Sequence, residues 1–156
     1  ESQGSQLMRG IYGYHTQSLG YCDIAYNFLV DRFGKLYEGR YGGAGQAVMG
    51  AHALGFNTSS TGVALIGDFR TAAPPPAMLA TLQRVLAWKL GVHRVDPTRN
   101  LQYTTTGNEK WRANTTVTLP PITYHGYTGS SECPGAQVIN RMGQIRSQVN
   151  AQMGYG

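Results

Sequence analysis

The chain has 156 residues and carries 13 Lys and Arg against 8 Asp and Glu, a formal charge of +5, which is the length of one domain. Its 41% hydrophobic and 13% charged residues can supply a core and exclude a disordered polyelectrolyte. Its longest apolar runs, such as Val63-Ala64-Leu65-Ile66, exclude a membrane helix of ~20 residues, and two cysteines, enough for one disulfide, exclude a small stapled scaffold but not export.

In chain order, Leu7, Ile11 and Tyr14 recur near helical spacing and predict a helix over 6–19, packed on its apolar side and ending at Gly20. Ile24 to Val30 is rich in strand formers, Asp31-Arg32-Phe33-Gly34 carries turn chemistry, and Lys35 to Gly39 alternates, so a hairpin is expected. The glycine-rich stretch 40–55 reads as an irregular loop; with no Gly-Lys-Ser/Thr it is not a phosphate loop. Thr61 to Phe69 reads as a buried central strand, apolar on both faces up to its polar end.

Pro76 suits the first turn of a helix in which Met78, Leu79, Leu82, Val85, Leu86 and Leu90 recur at three and four, and Gly91 is expected to end it. His93, just beyond, suits the negative end of the helix dipole and reads as structural. The Thr-rich stretch that follows predicts a peripheral hairpin, Leu101-Gln102-Tyr103 against Thr116-Val117-Thr118-Leu119. Val138, Ile139, Met142, Ile145 and Val149 predict a last helix over 135–152, entered after Pro134.

The basic residues are ten Arg and three Lys without a run, a scattered surface that argues against nucleic acid and suits an anionic polymer such as a bacterial wall. His125 and Cys133, eight positions apart, are a soft donor pair that suits zinc; a catalytic ion needs a third protein ligand and a water. The same pair also reads as a core histidine and a buried thiol. Cys133, placed just before Pro134-Gly135 and a predicted helix, is expected to lie near a positive helix N-terminus that favours thiolate.

Gly20-Tyr21-Cys22-Asp23-Ile24-Ala25-Tyr26-Asn27-Phe28-Leu29-Val30, Gly34 to Arg40, Gly50-Ala51-His52-Ala53, Asn57, Thr61-Gly62-Val63, Gly67-Asp68-Phe69 and Glu132-Cys133-Pro134-Gly135 follow one another in an order and spacing that resembles the peptidoglycan recognition protein family, the type 2 N-acetylmuramoyl-L-alanine amidases. The resemblance runs from about Tyr14 to Ile145. It implies an α/β fold with a central mixed β-sheet flanked by helices, a Zn2+ ion at one sheet end, and cleavage of the amide between N-acetylmuramic acid and the L-alanine of the peptidoglycan stem peptide. By the same resemblance His125 and Cys133 match the second and third zinc ligands. Tyr26 matches the tyrosine that hydrogen-bonds the zinc water or the developing oxyanion, and Ser131 stands where amidases place a Lys or Thr that assists catalysis. His52 matches a histidine of the peptide cleft, while Asn57 and Arg40 match cleft or scaffold positions, Arg40 pairing with Glu38 or with a stem-peptide carboxylate.

The chain departs from the family at its start, where members carry a strand ending in His-His-Thr whose first histidine is the first zinc ligand. Tyr14-His15-Thr16 falls within the first predicted helix, too close to Asp23 to replace it, so His15 is not assigned to metal. Residues 1–156 are therefore expected to form a single, N-terminally truncated amidase-type domain with a peripheral insertion at 100–121. An upstream segment of the same protein would complete the sheet and the zinc site; without it the chain is expected to be poor in metal. Cys22 would pair with an upstream cysteine or lie buried as a free thiol. The resemblance, with His125, Cys133 and Tyr26 retained, implies a secreted or cell-envelope zinc amidase that remodels or lyses walls. Its alternative is a non-catalytic peptidoglycan-binding module, whose members commonly lose the cysteine.

Overall fold

The computed structural model describes residues 2–155, and its elements are arranged around one short buried strand. That strand, β1 (Phe28–Val30), is buried at every residue. It pairs antiparallel with β2 (Leu36–Glu38), Leu29 opposite Tyr37, and parallel with β3 (Val63–Leu65), Leu29 opposite Ala64. The sheet is therefore mixed, in the order β2-β1-β3, and the expected hairpin is present with shorter strands than the pattern suggested. Asp31 builds the β1–β2 turn. Its carboxylate accepts the Phe33 and Lys35 amides at 2.9 Å each and the Tyr37 hydroxyl at 3.0 Å. Burial pushes this carboxyl up, but the Lys35 amide, the Tyr37 hydroxyl and the Phe33 amide outweigh it and hold the pKa below the ordinary value.

Asn27, at the threshold of β1, ties two segments through its buried side chain and a third through its main chain. Its Oδ1 accepts the Gly62 amide at 2.9 Å, its Nδ2 donates to the Val48 carbonyl at 2.8 Å, and its own carbonyl accepts the Gly39 amide at 2.8 Å. The glycine-rich loop, the ends of β1 and β2, and the start of β3 are thus fixed to one point. Lys89 secures the loop a second time: its buried ammonium donates to the carbonyls of Ala44 and Gln46 at 2.8 and 2.6 Å.

The main core lies between this sheet and two helices, α2 (Pro76–Val92) and the C-terminal α5 (Met142–Gln152). Its buried members include Val30, Met78, Leu82, Ile122, Met142, Ile145 and Val149. α2 starts at Pro76 as expected and runs through Gly91 to Val92, with His93 at its C-cap. A separate antiparallel sheet, β4 (Leu101–Thr104) and β5 (Thr116–Leu119), has the expected hairpin partners, Leu101 facing Leu119. It rests on a small second core of Phe56, Val117 and Leu119 with Tyr103 and Trp111 against it.

Several expectations are corrected. The first helix exists as α1 (Ser2–Gly13), continued by a wider turn over Tyr14–Ser18, but it does not bury an apolar side: Leu7, Tyr12 and Tyr14 are exposed. It is held by polar contacts, the His15 Nδ1 accepting the Ala25 amide at 3.2 Å. Cys22 is an exposed free thiol, not a buried one.

β3 is the last strand of its sheet, not a central one, and is only half-buried. Its outer edge pairs with no strand among the described residues and borders a cavity of about 1110 Å³. His125 opens a one-turn helix, α3 (His125–Thr128), and the preceding Pro120 and Pro121 have no amide to donate to a ladder. The last helix is split into α4 (Ala136–Ile139) and α5. The Gln137 carbonyl, which a continuous helix would offer to the Arg141 amide, accepts the Arg141 guanidinium at 2.6 Å, while that amide turns to Val138.

Replacing Asn27 by Ala strands the Gly62 amide and the Val48 carbonyl, and is expected to cost about 2–4 kcal/mol, read from urea unfolding. The depressed Asp31 pKa stabilises the fold fully above the unfolded carboxylate value of about 3.9, and that contribution is lost as pH falls through the lower folded value. An Asp31→Asn variant should therefore lack this part of the acid limb in a stability-versus-pH series.

Candidate functional site

Four side chains singled out by the sequence meet at the cavity bordered by β3: Tyr26, His52, His125 and Cys133 all line it. Tyr26 comes from the approach to β1, His52 from the end of the glycine-rich loop, and the other two from the segment between β5 and α4. The Tyr26 and His52 rings stack, centroids 5.8 Å apart and 19° from parallel. Burial raises the Tyr26 pKa above 10, and the nearby Cys133 raises it further, so the phenol keeps its proton across the physiological range.

His52 is set by its neighbours. Its main-chain amide and that of Ala53 both donate to Asn57 Oδ1, at 2.9 and 2.8 Å. Its ring lies so close to Gly50 and Gly62 that a Cβ on either would come within 2.4 Å of the ring's Cδ2. Burial, then the nearby His125 and Arg40, push its pKa down to about 4. The ring is neutral at pH 7, and its buried Nε2 has no hydrogen-bond partner among the described residues.

His125 and Cys133 are brought together by a closed loop. The Gly126 amide donates to the Cys133 carbonyl at 2.9 Å, and a Cβ on Gly126 would approach the Ser131 carbonyl oxygen to 2.2 Å, so the turn admits no side chain there. The expected thiolate-favouring helix is not found: α4 is a single turn that begins three residues on, at Ala136. Cys133 reaches solvent, yet packing about its sulfur pushes the thiol pKa up. The imidazole and thiol suit zinc as two donors, but among the described residues no group of three or more His, Cys, Asp or Glu is gathered that would hold a metal.

The other three candidates support the backbone and do not line this cavity. Asn57 holds the His52 amides as above. Ser131 Oγ accepts the Cys133 amide at 3.1 Å. Arg40 donates to the carbonyls of Ile24 at 2.9 Å and Met49 at 3.3 Å; it does not pair with Glu38, whose carboxylate accepts the Gly43 amide. The sequence reading missed Tyr124 and the Asp68–Arg70 pair, all of which line the cavity. Arg70 binds Asp68 through two nitrogens and holds its carboxyl down to about 2. An acid and an arginine two residues apart, just after an apolar strand, were the available signal.

The family described as N-acetylmuramoyl-L-alanine amidase matches residues 3–136. Peptidoglycan recognition protein 3 of Homo sapiens is 33% identical over 97 residues, 62% of this chain and 27% of that protein. Peptidoglycan-recognition protein SC2 of Drosophila simulans is 30% identical over 143 residues, 92% of this chain and 62% of that one. The chain thus spans less than two thirds of either relative. Among solved structures, the ectodomain complex of peptidoglycan recognition proteins LCa and LCx with bound tracheal cytotoxin is similar at a TM-score of 0.65 and 26% identity, over 90% of this chain and 71% of that one.

A Gly62→Ala substitution should drive the His52 ring out of its slot. By NMR titration the His52 pKa is expected to rise from about 4 toward the solvated value of about 6.5; a value that stays near 4 would mean that the ring is not confined by Gly62.

Proposed function

Because the chain belongs to the N-acetylmuramoyl-L-alanine amidase family, we propose that its cavity binds the stem peptide of peptidoglycan and is the site at which the amide between N-acetylmuramic acid and L-alanine is hydrolysed. The observation that carries this reading is that Tyr26, His52, His125 and Cys133 line one cavity as neighbours, Tyr26 stacked on His52 and close to Cys133, and His52 close to His125. The tracheal cytotoxin bound to the similar LCa–LCx complex supports a muramyl peptide as the ligand. Such a substrate places the working protein in the cell envelope or outside the cell, and no described helix is long and apolar enough to cross a membrane.

In this reading the protonated Tyr26 hydroxyl donates to the oxygen on which charge develops, and the neutral His52 ring, stacked on Tyr26, forms part of the wall against which the peptide lies. Cys133 and His125 are the residues that would hold zinc, which when bound polarises a carbonyl and lowers the pKa of a water. Two donors bind such an ion far more weakly than three. We propose that a third comes from an additional extended segment of the same protein, laid along the free edge of β3. Without that segment the same cavity acts as a recognition module, a reading favoured by the two-donor set.

The test uses this chain and a form extended upstream, each incubated with purified walls and zinc. Both are expected to bind walls, with binding weakened ~10-fold by His52→Ala, which removes the ring stacked on Tyr26 in the cavity wall. The extended form alone should take up zinc and release L-alanine amino termini, and Cys133→Ala should abolish release while keeping wall binding. An extended form that binds walls but neither takes zinc nor cleaves leaves the recognition module; no wall binding by either form overturns both readings.

A further inference from the structure

The hairpin loop between β4 and β5 lies outside every motif of the sequence, yet one of its side chains joins the two segments that carry the cavity's histidines. Asn108 Nδ2 donates to the Leu54 carbonyl and to the Thr128 carbonyl, both at 2.9 Å. Leu54 stands two residues after His52, and Thr128 closes the helical turn that His125 opens. The Asn108 Oδ1 is occupied as well, accepting the Lys110 and Trp111 amides at 2.9 Å each. All four hydrogen-bonding positions of the amide are filled, so its orientation is fixed from both sides.

We propose that Asn108 is a positioning residue that sets the separation between the His52 segment and the His125 segment. Each segment has further anchors to the hairpin, but each of these reaches one side alone. The Thr105 hydroxyl donates to the Gly55 carbonyl at 2.9 Å and the Tyr103 hydroxyl to the Thr58 carbonyl at 2.7 Å. On the other side Glu109 accepts the Ser130 amide at 2.6 Å, and Lys110 donates to the Tyr127 carbonyl at 2.8 Å. The Asn108 amide is where the two sets meet. Although His125 and His52 line the cavity, Asn108 does not; it acts from behind the wall by clamping main chain. Its importance for the cavity's chemistry rests on the function proposed above, while the coupling of the two segments does not.

The experiment is native-state hydrogen exchange on the whole chain and on Asn108→Asp, Asn108→Ala and Lys110→Met variants. The Asp variant keeps the acceptor oxygen that builds the turn and sets a carboxylate oxygen, in place of the donor, against the Leu54 and Thr128 carbonyls. Amides bonded within the two segments, His52, Ala53 and Phe56 in one and Gly126, Tyr127 and Gly129 in the other, report their opening. In both Asn108 variants the two sets are expected to exchange about 10-fold faster together, the weight of one lost hydrogen bond at each, with the amides of β1 unchanged. Lys110→Met should accelerate the second set alone. Acceleration of one set only in the Asn108 variants, of β1 equally, or of neither would overturn the proposal. Wall affinity, measured in parallel, should fall with the exchange protection; a wild-type chain that does not bind walls would count against the proposed function and leave the exchange result to decide the clamp.

Discussion

A single buried carboxamide, that of Asn27, is the constraint on which the remaining architecture depends. Three-residue strands cannot hold a sheet by ladder bonds alone, and the segments flanking β1 are irregular on both sides. One Asn side chain replaces the missing ladder by offering a donor to the glycine-rich loop and an acceptor to the start of β3. In a buried setting each of those main-chain groups would cost on the order of 1–3 kcal/mol if left alone. The loop that carries His52 and the strand that borders the cavity are therefore held to the same point from which Tyr26 projects, one residue earlier in the chain.

The cavity is built on the same economy. Few of its polar side chains are bonded to one another; they are placed by main-chain groups held from behind. Asn57 grips the His52 amide, Ser131 the Cys133 amide, and Arg40 the carbonyls of Ile24 and Met49. The rings of Tyr26 and His52 line the cavity, stacked on each other, with the His52 ring confined by two glycines. The polar residues of the motif thus divide into those that face the cavity and those that aim them.

Much of this division was beyond the sequence. Long, strongly periodic stretches were legible: α2 appears where Met78, Leu82 and Val85 repeat, and the β4–β5 hairpin where the threonines cluster. The convergence of Tyr26, His52, His125 and Cys133 followed from the motif order, since the resemblance carried tertiary neighbours along with it. What misled was local pattern without its tertiary partner. Leu7 and Tyr14 have helical spacing but no surface to pack on. Thr61 to Phe69 is apolar enough for a central strand, yet only one of its edges is paired. The split before α5 depends on a guanidinium capturing a carbonyl, and the Asn108 bridge on two segments distant in sequence; no periodicity encodes either.

The free edge of β3 also bears on how many copies of the molecule share a solution. Unpaired strand amides and carbonyls beside apolar walls form a template for another chain's strand, and here no charged side chain interrupts Val63, Ala64 and Leu65. A net charge of +5 spread over the surface opposes close approach between copies, and that opposition fades as salt shortens the screening length. Raising the ionic strength therefore weakens the repulsion that opposes edge-to-edge approach of two copies.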